Sequence, residues 1–430
     1  MWQLWKQFLP LSVSDVTMAA GDPAVNAALS MSASPQPLFA GLGVAKSIAI
    51  FFESPIIMIL HASNKLAEDA NAAKAMWRFM LLCGLTLTLC LILINLPPVF
   101  NYLAKNIFNL TEDIAVYTHI ILSCFIFWPA MIAWRRYFQG ILIHVHQMKP
   151  IVYGGFLRLI VLITALFAGY FLGINPALTT GIAMILGVFS EAIFVTLYGW
   201  NYKKAIFSNS SAKTYALNKP HTLKQIFKFY WPLAHSMVLV WGGRALLIVI
   251  IAHAIDPNIS LAVWPVAWAL VLLFANASRM IQQVVIKNKN AYETCDYFIF
   301  GLSVGGILSL CIFLLVLTPA SEFILDFFIG YDNDFNHHIC NVLLICALTP
   351  ILVAIQNILQ GFLIIENKTK EINMTTLYGV AVLLILSSVG IFLDYSGALV
   401  ASLSTIISLG VETLFLYYFF MVSHYGAKIS

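Results

Sequence analysis

Long apolar stretches of this chain contain ionisable side chains where hydrocarbon is the expected surrounding. The acids are Asp15, Asp22, Glu53, Glu191 and Glu412, and the bases are Lys46, Arg135, Arg136, Arg158, Arg244 and Arg279. At bilayer depth each costs at least about 2.5 to 3.5 kcal/mol, so each must face a cavity or hold a partner. Arg244 follows Gly242 and Gly243, which bring backbone close and leave space, and a guanidinium there can grip a carboxylate or phosphate through two parallel hydrogen bonds. It is the first candidate for contact with an anionic substrate, the alternative being a structural pair with Glu412 or another acid. Arg158 is the analogous candidate in the N-terminal half. Arg135, Arg136 and Gln139 form a further polar group, read either as a cavity wall or as side chains that snorkel toward lipid headgroups.

The acids suggest a second chemistry, coupling to a cation. Asp15, Asp22 and Asn26 are spaced seven and four apart, which puts them on one helix face, and Pro23 removes a backbone donor beside Asp22. Lys46 and Glu53 are likewise seven apart on the next span, with Lys46 at a height similar to that of Asp22. Three readings stay open. Asp22 exchanges a proton as Lys46 engages and disengages; or Asp22 and Lys46 form a static ion pair; or the oxygens of Asp15, Asp22 and Asn26 hold a sodium ion. No other cofactor is expected.

Helices crossing a membrane must position these groups. The chain has 430 residues, 61% hydrophobic and 10% charged, too little polar surface for a soluble protein. A hydrocarbon core of about 30 Å takes roughly 20 apolar residues per crossing, and polar breaks divide the sequence into about twelve spans, the first over residues 8–31, the seventh over 226–255 and the last over 398–423. Lys and Arg gather in alternate loops, including Lys65, Lys74, Arg78, Lys149, Lys203, Lys204, Lys287 and Lys368, while the opposite loops hold Lys105. The positive-inside bias makes the former side cytoplasmic, with both termini on it. The basic residues thus report orientation rather than affinity for nucleic acid. Seven cysteines, mostly inside apolar runs and without a C-x-x-C pair, read as packing residues. The short loops and the absence of a processed leader make a bacterial inner membrane the default location.

An internal repeat organises the spans. At an offset of about 221 residues, Pro129, Ala133, Gln139 and Gly140 align with Pro350, Ala354, Gln360 and Gly361, and Glu191 aligns with Glu412. Arg135 and Arg136 then fall on Gln356 and Asn357, so polarity is kept in both halves and charge in one. Glu191 and Glu412 share a position, which implies a common structural duty, accepting hydrogen bonds from a neighbouring helix of the same half. The expected organisation is a six-helix lobe over residues 1–205, a linker over 206–225 and a second lobe over 226–430. An even number of spans per unit makes the repeats parallel, and rocking of such lobes gives alternating access.

The Gln139-Gly140 and Gln360-Gly361 endings, with the six-plus-six plan, resemble the multidrug and toxic-compound extrusion fold, whose superfamily also holds lipid-linked oligosaccharide flippases. Closer is a resemblance to the progressive ankylosis protein family, carried by residues 8–11 with Gly21, Asp22 and Asn26, by residues 229–234 followed by Arg244, by residues 264–266, and by residues 395–398 followed by Glu412. That resemblance implies an all-α exporter of organic anions such as citrate and nucleotides; a monomer without enzymatic activity is expected. A carrier of lipophilic cations should present acids without competing bases. A flippase usually has two additional helices. Intramembrane catalysis would need paired groups, whereas Asp15 and Asp22 lie about two turns apart. His337, His338 and Cys340 with Asp332 and Asp334 lack the spacing of a tetrahedral metal site, and no G-x-x-x-x-G-K-[ST] loop occurs.

Overall fold

The computed structural model of the chain describes residues 2–67, 69–208, 222–288, 291–318, 325, 333–366 and 368–426. Every regular element among them is helical: α1 (Trp2–Ala19), α2 (Gly21–Ser30), α3 (Pro35–Glu53), α4 (Ile59–Leu66), α5 (Ala70–Asn95), α6 (Pro97–Tyr102), α7 (Glu112–Cys124), α8 (Trp128–His144), α9 (Lys149–Phe171), α10 (Pro176–Ser208), α11 (Leu223–Ile251), α12 (Pro257–Arg279), α13 (Ile281–Lys287), α14 (Thr294–Leu317), α15 (Asn333–Cys346), α16 (Thr349–Ile365), α17 (Thr369–Phe392) and α18 (Gly397–Gly426). Among the described residues, ten continuous or broken helices are long and apolar enough to cross a membrane. The expected first and seventh spans fall outside that set. The first is interrupted at Ala20, three residues before the missing amide of Pro23, and the seventh contributes a shorter apolar stretch, Met237–Ile251. Leu81, Leu85, Leu89 and Leu93 of α5 are exposed. Their spacing of four makes an apolar stripe that water would not tolerate and lipid would cover.

The duplication is visible in where spans break. The second span is interrupted by a 3-10 turn at Ser54–Ile56 containing Pro55, and the fourth by Phe125–Phe127 just before Pro129. In the second half, α12 gives way to α13 at Met280, and α16 restarts at Thr349 with Pro350 in its first turn. A proline near a helix start is tolerated because its donor would be unpaired there anyway. Close crossings repeat as well. A Cβ added at Gly140 would lie 2.5 Å from the Leu60 carbonyl oxygen, so α8 can cross α4 only with glycine there. One added at Gly361 would lie 2.9 Å from Val285 Cγ1, where α16 crosses α13. The glycine of each Gln-Gly ending is therefore a packing requirement.

The chain forms two compact units that do not follow its halves: residues 1–40 with 246–430, and residues 41–245. In the first unit α1 buries Leu4 and Phe8 among Ile281, Val285, Tyr297, Phe300 and Ile358. The rings of Trp5, Phe8 and Phe300 meet edge to face at 5.5 to 5.9 Å. Gln7 accepts a hydrogen bond from Asn288 Nδ2 at 2.8 Å. The N-terminus of α18 is tied down from the turn before α12, where Asp256 accepts from Ser260 Oγ at 2.8 Å, Ser396 Oγ at 2.7 Å and the Gly397 amide at 2.9 Å. In the second unit α11 is anchored by Tyr230, whose hydroxyl donates to the Pro55 carbonyl and whose ring lies 5.1 Å from Phe79. The central part of the expected linker, residues 209–221, lies outside the described residues, as do Glu322, Asp326 and Asp332 of the acidic loop and the side chain of Asp334.

Candidate functional site

A buried charge cluster in the second unit is built on α8, α9 and α10. Glu191 of α10 is 1% exposed. Its Oε2 accepts from Arg135 Nη1 and its Oε1 accepts from Gln139 Nε2 at 2.9 Å, so both carboxylate oxygens are engaged by residues one turn apart on α8. Arg158 of α9 approaches the same Oε2 at 3.7 Å with 23% of its side chain exposed. Close helix approach makes this possible: a Cβ at Gly154 would meet Glu191 Cγ at 3.3 Å, and one at Gly187 the Arg158 carbonyl at 3.2 Å.

Arg136 points differently. Its Nη1 donates to Gln139 Oε1 at a long 3.4 Å, and its Nε, like that of Arg135, is buried without a hydrogen-bond partner. Glu53 and Glu191 attract it while Arg135 and Arg158 repel it. Glu53, at the end of α3, accepts from Trp128 Nε1 at 2.8 Å. Three guanidiniums thus gather near Glu191, one of them also in the field of Glu53, and the Nε donors of Arg135 and Arg136 remain unused in a low-dielectric site.

Six of the residues singled out in the sequence come together here: Glu191, Arg135, Arg136, Gln139, Arg158 and Glu53. Glu53 lies seven residues from Lys46 on α3, and its hydrogen bond links the second span to the fourth. Arg244, also in this unit, lies over the Trp241 ring with its guanidinium carbon 4.7 Å from the centroid. Lys46 is half-buried in α3. In the first unit, Asp22 is half-buried and Asn26 buried in α2, and the side chain of Asp15 lies outside the described residues. Gln360 accepts from Gln282 Nε2 at 3.2 Å.

The repeat partners of Arg135, Arg136 and Arg158 in the first unit are neutral. Gln356 donates to the Leu409 carbonyl at 3.0 Å and Asn357 to that of Val353 at 2.7 Å. Glu412 accepts from Thr376 Oγ1 at 2.9 Å, and Gly379, which the offset places on Arg158, lies against it. Both glutamates accept from a neighbouring helix of their own half, and the donors to Glu191 include the cationic Arg135. Reasoning from sequence missed His61 and the hydrogen bond that Trp128 gives Glu53. His61 sits in the field of Arg136 but carries no motif.

The profile of the progressive ankylosis protein (ANKH) family matches residues 1–247, more than half of the chain. The chain belongs to that family. Solved structures with the same fold include an inward-facing multidrug resistance MATE family transporter of the MOP superfamily, at TM-score 0.77 and 12% identity with 96% of each chain covered. The lipid II flippase MurJ in an inward closed conformation gives TM-score 0.66 and 15% identity, over 94% of this chain and 85% of that one. A MOP superfamily transporter from Pyrococcus furiosus, for which the reverse polarity of its binding pocket suggests a different function, gives 0.61 and 13%, over 97% and 95%. This ANKH family member therefore has the MATE-like fold.

Proposed function

We propose that this ANKH family member is a secondary transporter exporting a small organic anion, a citrate-like polycarboxylate or a phosphorylated metabolite, by alternating access of two six-helix lobes. The observation that carries the reading is the arginine excess around Glu191. Arg135 is locked to the carboxylate, whereas Arg158 is looser and partly exposed, and Arg136 has donors to spare. Arg158 and Arg136 are assigned to the substrate, with Arg244 as a further contact and Gln139 and Gln360 as polar lining. Arg135 serves to orient Glu191. A reversed pocket polarity suggesting a different function in the Pyrococcus furiosus protein is a precedent for departure from the multidrug pattern.

Coupling to a proton or sodium gradient is assigned to Asp22, Lys46, Asp15 and Asn26, with Glu53 bridging to the arginine cluster. The reading includes twelve spans, both termini in the cytoplasm, a monomer, and a bacterial inner membrane. Uptake of labelled citrate into proteoliposomes, with and without an imposed pH gradient, tests it. Flux that depends on the gradient, and that falls in Arg158→Ala and Asp22→Asn, is expected. Absence of citrate and organic phosphate flux from folded, reconstituted protein, with lipophilic cations transported instead, would replace the anion reading by a multidrug one.

A second reading, flipping of a lipid-linked headgroup, is favoured by the resemblance to MurJ and by the fit of guanidiniums to a diphosphate. Movement of a fluorescent lipid diphosphate between leaflets would decide for it.

A further inference from the structure

At one end of the second unit a lysine is enclosed by aromatic rings. Lys203, near the C-terminus of α10, is 7% exposed. Its Nζ lies 3.2 Å from the Trp77 ring centroid, 4.2 Å from that of Trp200 and 5.2 Å from that of Phe207. It forms no ion pair among the described residues. The next residue, Lys204, is exposed and lies 5.8 Å from the Trp200 ring. Exposed Lys74 and Arg78 lie within one turn of Trp77 on α5. Asp69, buried at the start of α5, accepts from the Ala72 amide at 2.7 Å.

Depth identifies what surrounds this cluster. Helix α10 has 33 residues, and at 1.5 Å per residue Lys203 stands about 40 Å along it from Pro176. The hydrocarbon core is about 30 Å thick, and about 40 to 45 Å with the headgroups, so Lys203 lies in the headgroup layer, where tryptophans collect. Quadrupole attraction from the rings fixes the ammonium without neutralising it. An immobilised positive charge at that level, unpaired with any carboxylate among the described residues and flanked in sequence by exposed Lys204 and near Trp77 by exposed Lys74 and Arg78, is complementary to a phosphate diester.

We propose that Lys203 and Lys204, held by Trp77 and Trp200, form a binding site for the phosphate of an anionic lipid headgroup. The site is separate from the Glu191 cluster and does not depend on the transport reading. The test uses purified full-length chain in phosphatidylcholine nanodiscs with and without phosphatidylglycerol, reading thermal stability and the phosphatidylglycerol retained in native mass spectra. Phosphatidylglycerol should stabilise the wild type and be retained by it. Lys203→Gln and Lys204→Gln should each weaken retention about fivefold, the worth of one basic residue at a membrane surface, while Lys203→Arg retains the lipid. Because Lys203 also ties α5 to α10, the exposed Lys204→Gln keeps the test decisive if Lys203→Gln fails to fold. Equal retention by wild type and every folded glutamine variant would overturn the proposal. So would inorganic phosphate that stabilises the protein in phosphatidylcholine as well as phosphatidylglycerol does.

Discussion

Replacing Glu191 by glutamine isolates what holds the arginine cluster together. Three groups converge on this carboxylate: Arg135 in direct contact, Gln139 at 2.9 Å and Arg158 at 3.7 Å. On loss of the charge, Arg158 can turn toward its exposed side and Gln139 keeps an amide partner. Arg135, 2% exposed, has nowhere to go. The cost therefore falls on Arg135, and stranding one partner of a buried pair is worth about 3 to 5 kcal/mol. Removing the stranded charge as well should recover part of it, so Arg135→Gln combined with Glu191→Gln should be less destabilised than the sum of the singles by about 1 to 3 kcal/mol. Equilibrium unfolding in mixed detergent micelles measures all four species of the cycle. Single effects that add within about 0.5 kcal/mol would refute the reasoning, because independent residues behave that way.

Arg158→Ala should separate transport from stability: folding changes by less than about 1 kcal/mol, as for a loose, partly exposed pair, while citrate flux in proteoliposomes falls about tenfold or more, the worth of a charge-assisted hydrogen bond. Asp256→Ala removes the acceptor that caps α18 from outside that helix and should cost about 1 to 2 kcal/mol, read by the same micelle unfolding, with Asp256→Asn recovering part. Gly140→Ala should be worse than Gly361→Ala, since the first Cβ meets the Leu60 carbonyl and the Asn64 amide and the second meets the Val285 side chain. Overpacking of about 1 to 3 kcal/mol is expected at Gly361 and loss of folded protein in size-exclusion profiles at Gly140.

Much of the arrangement could be read from residue spacing because the chain carries each message twice. The alignment of Pro129 with Pro350 and Gly140 with Gly361 revealed the repeat, though not that these positions mark helix restarts and close crossings, and that of Glu191 with Glu412 pointed to two carboxylates held within their own halves. Spans with charge confined to their ends were equally legible. Partners far apart in sequence were not. The Glu53 to Trp128 hydrogen bond joins residues 75 apart, and the cap on α18 comes from Asp256, 141 positions before Gly397. Neither bond leaves a periodic signal. Nor does helix periodicity tell which bundle receives α1, since an apolar face fits any apolar neighbour.

The membership of the compact units bears on how such a chain could arise and be taken apart. The leading helices, up to residue 40, are built into the unit formed by residues 246–430, and most of α11 into the unit formed by residues 41–245. A single-lobe ancestor acting as a pair would have traded its leading helix with its twin, and gene fusion would have preserved the trade. Severing the polypeptide between Ser208 and Leu223 yields two fragments, neither holding a complete unit. Each should be degraded when made alone and recovered when both are made in the same cell, because each half carries the other's missing helix.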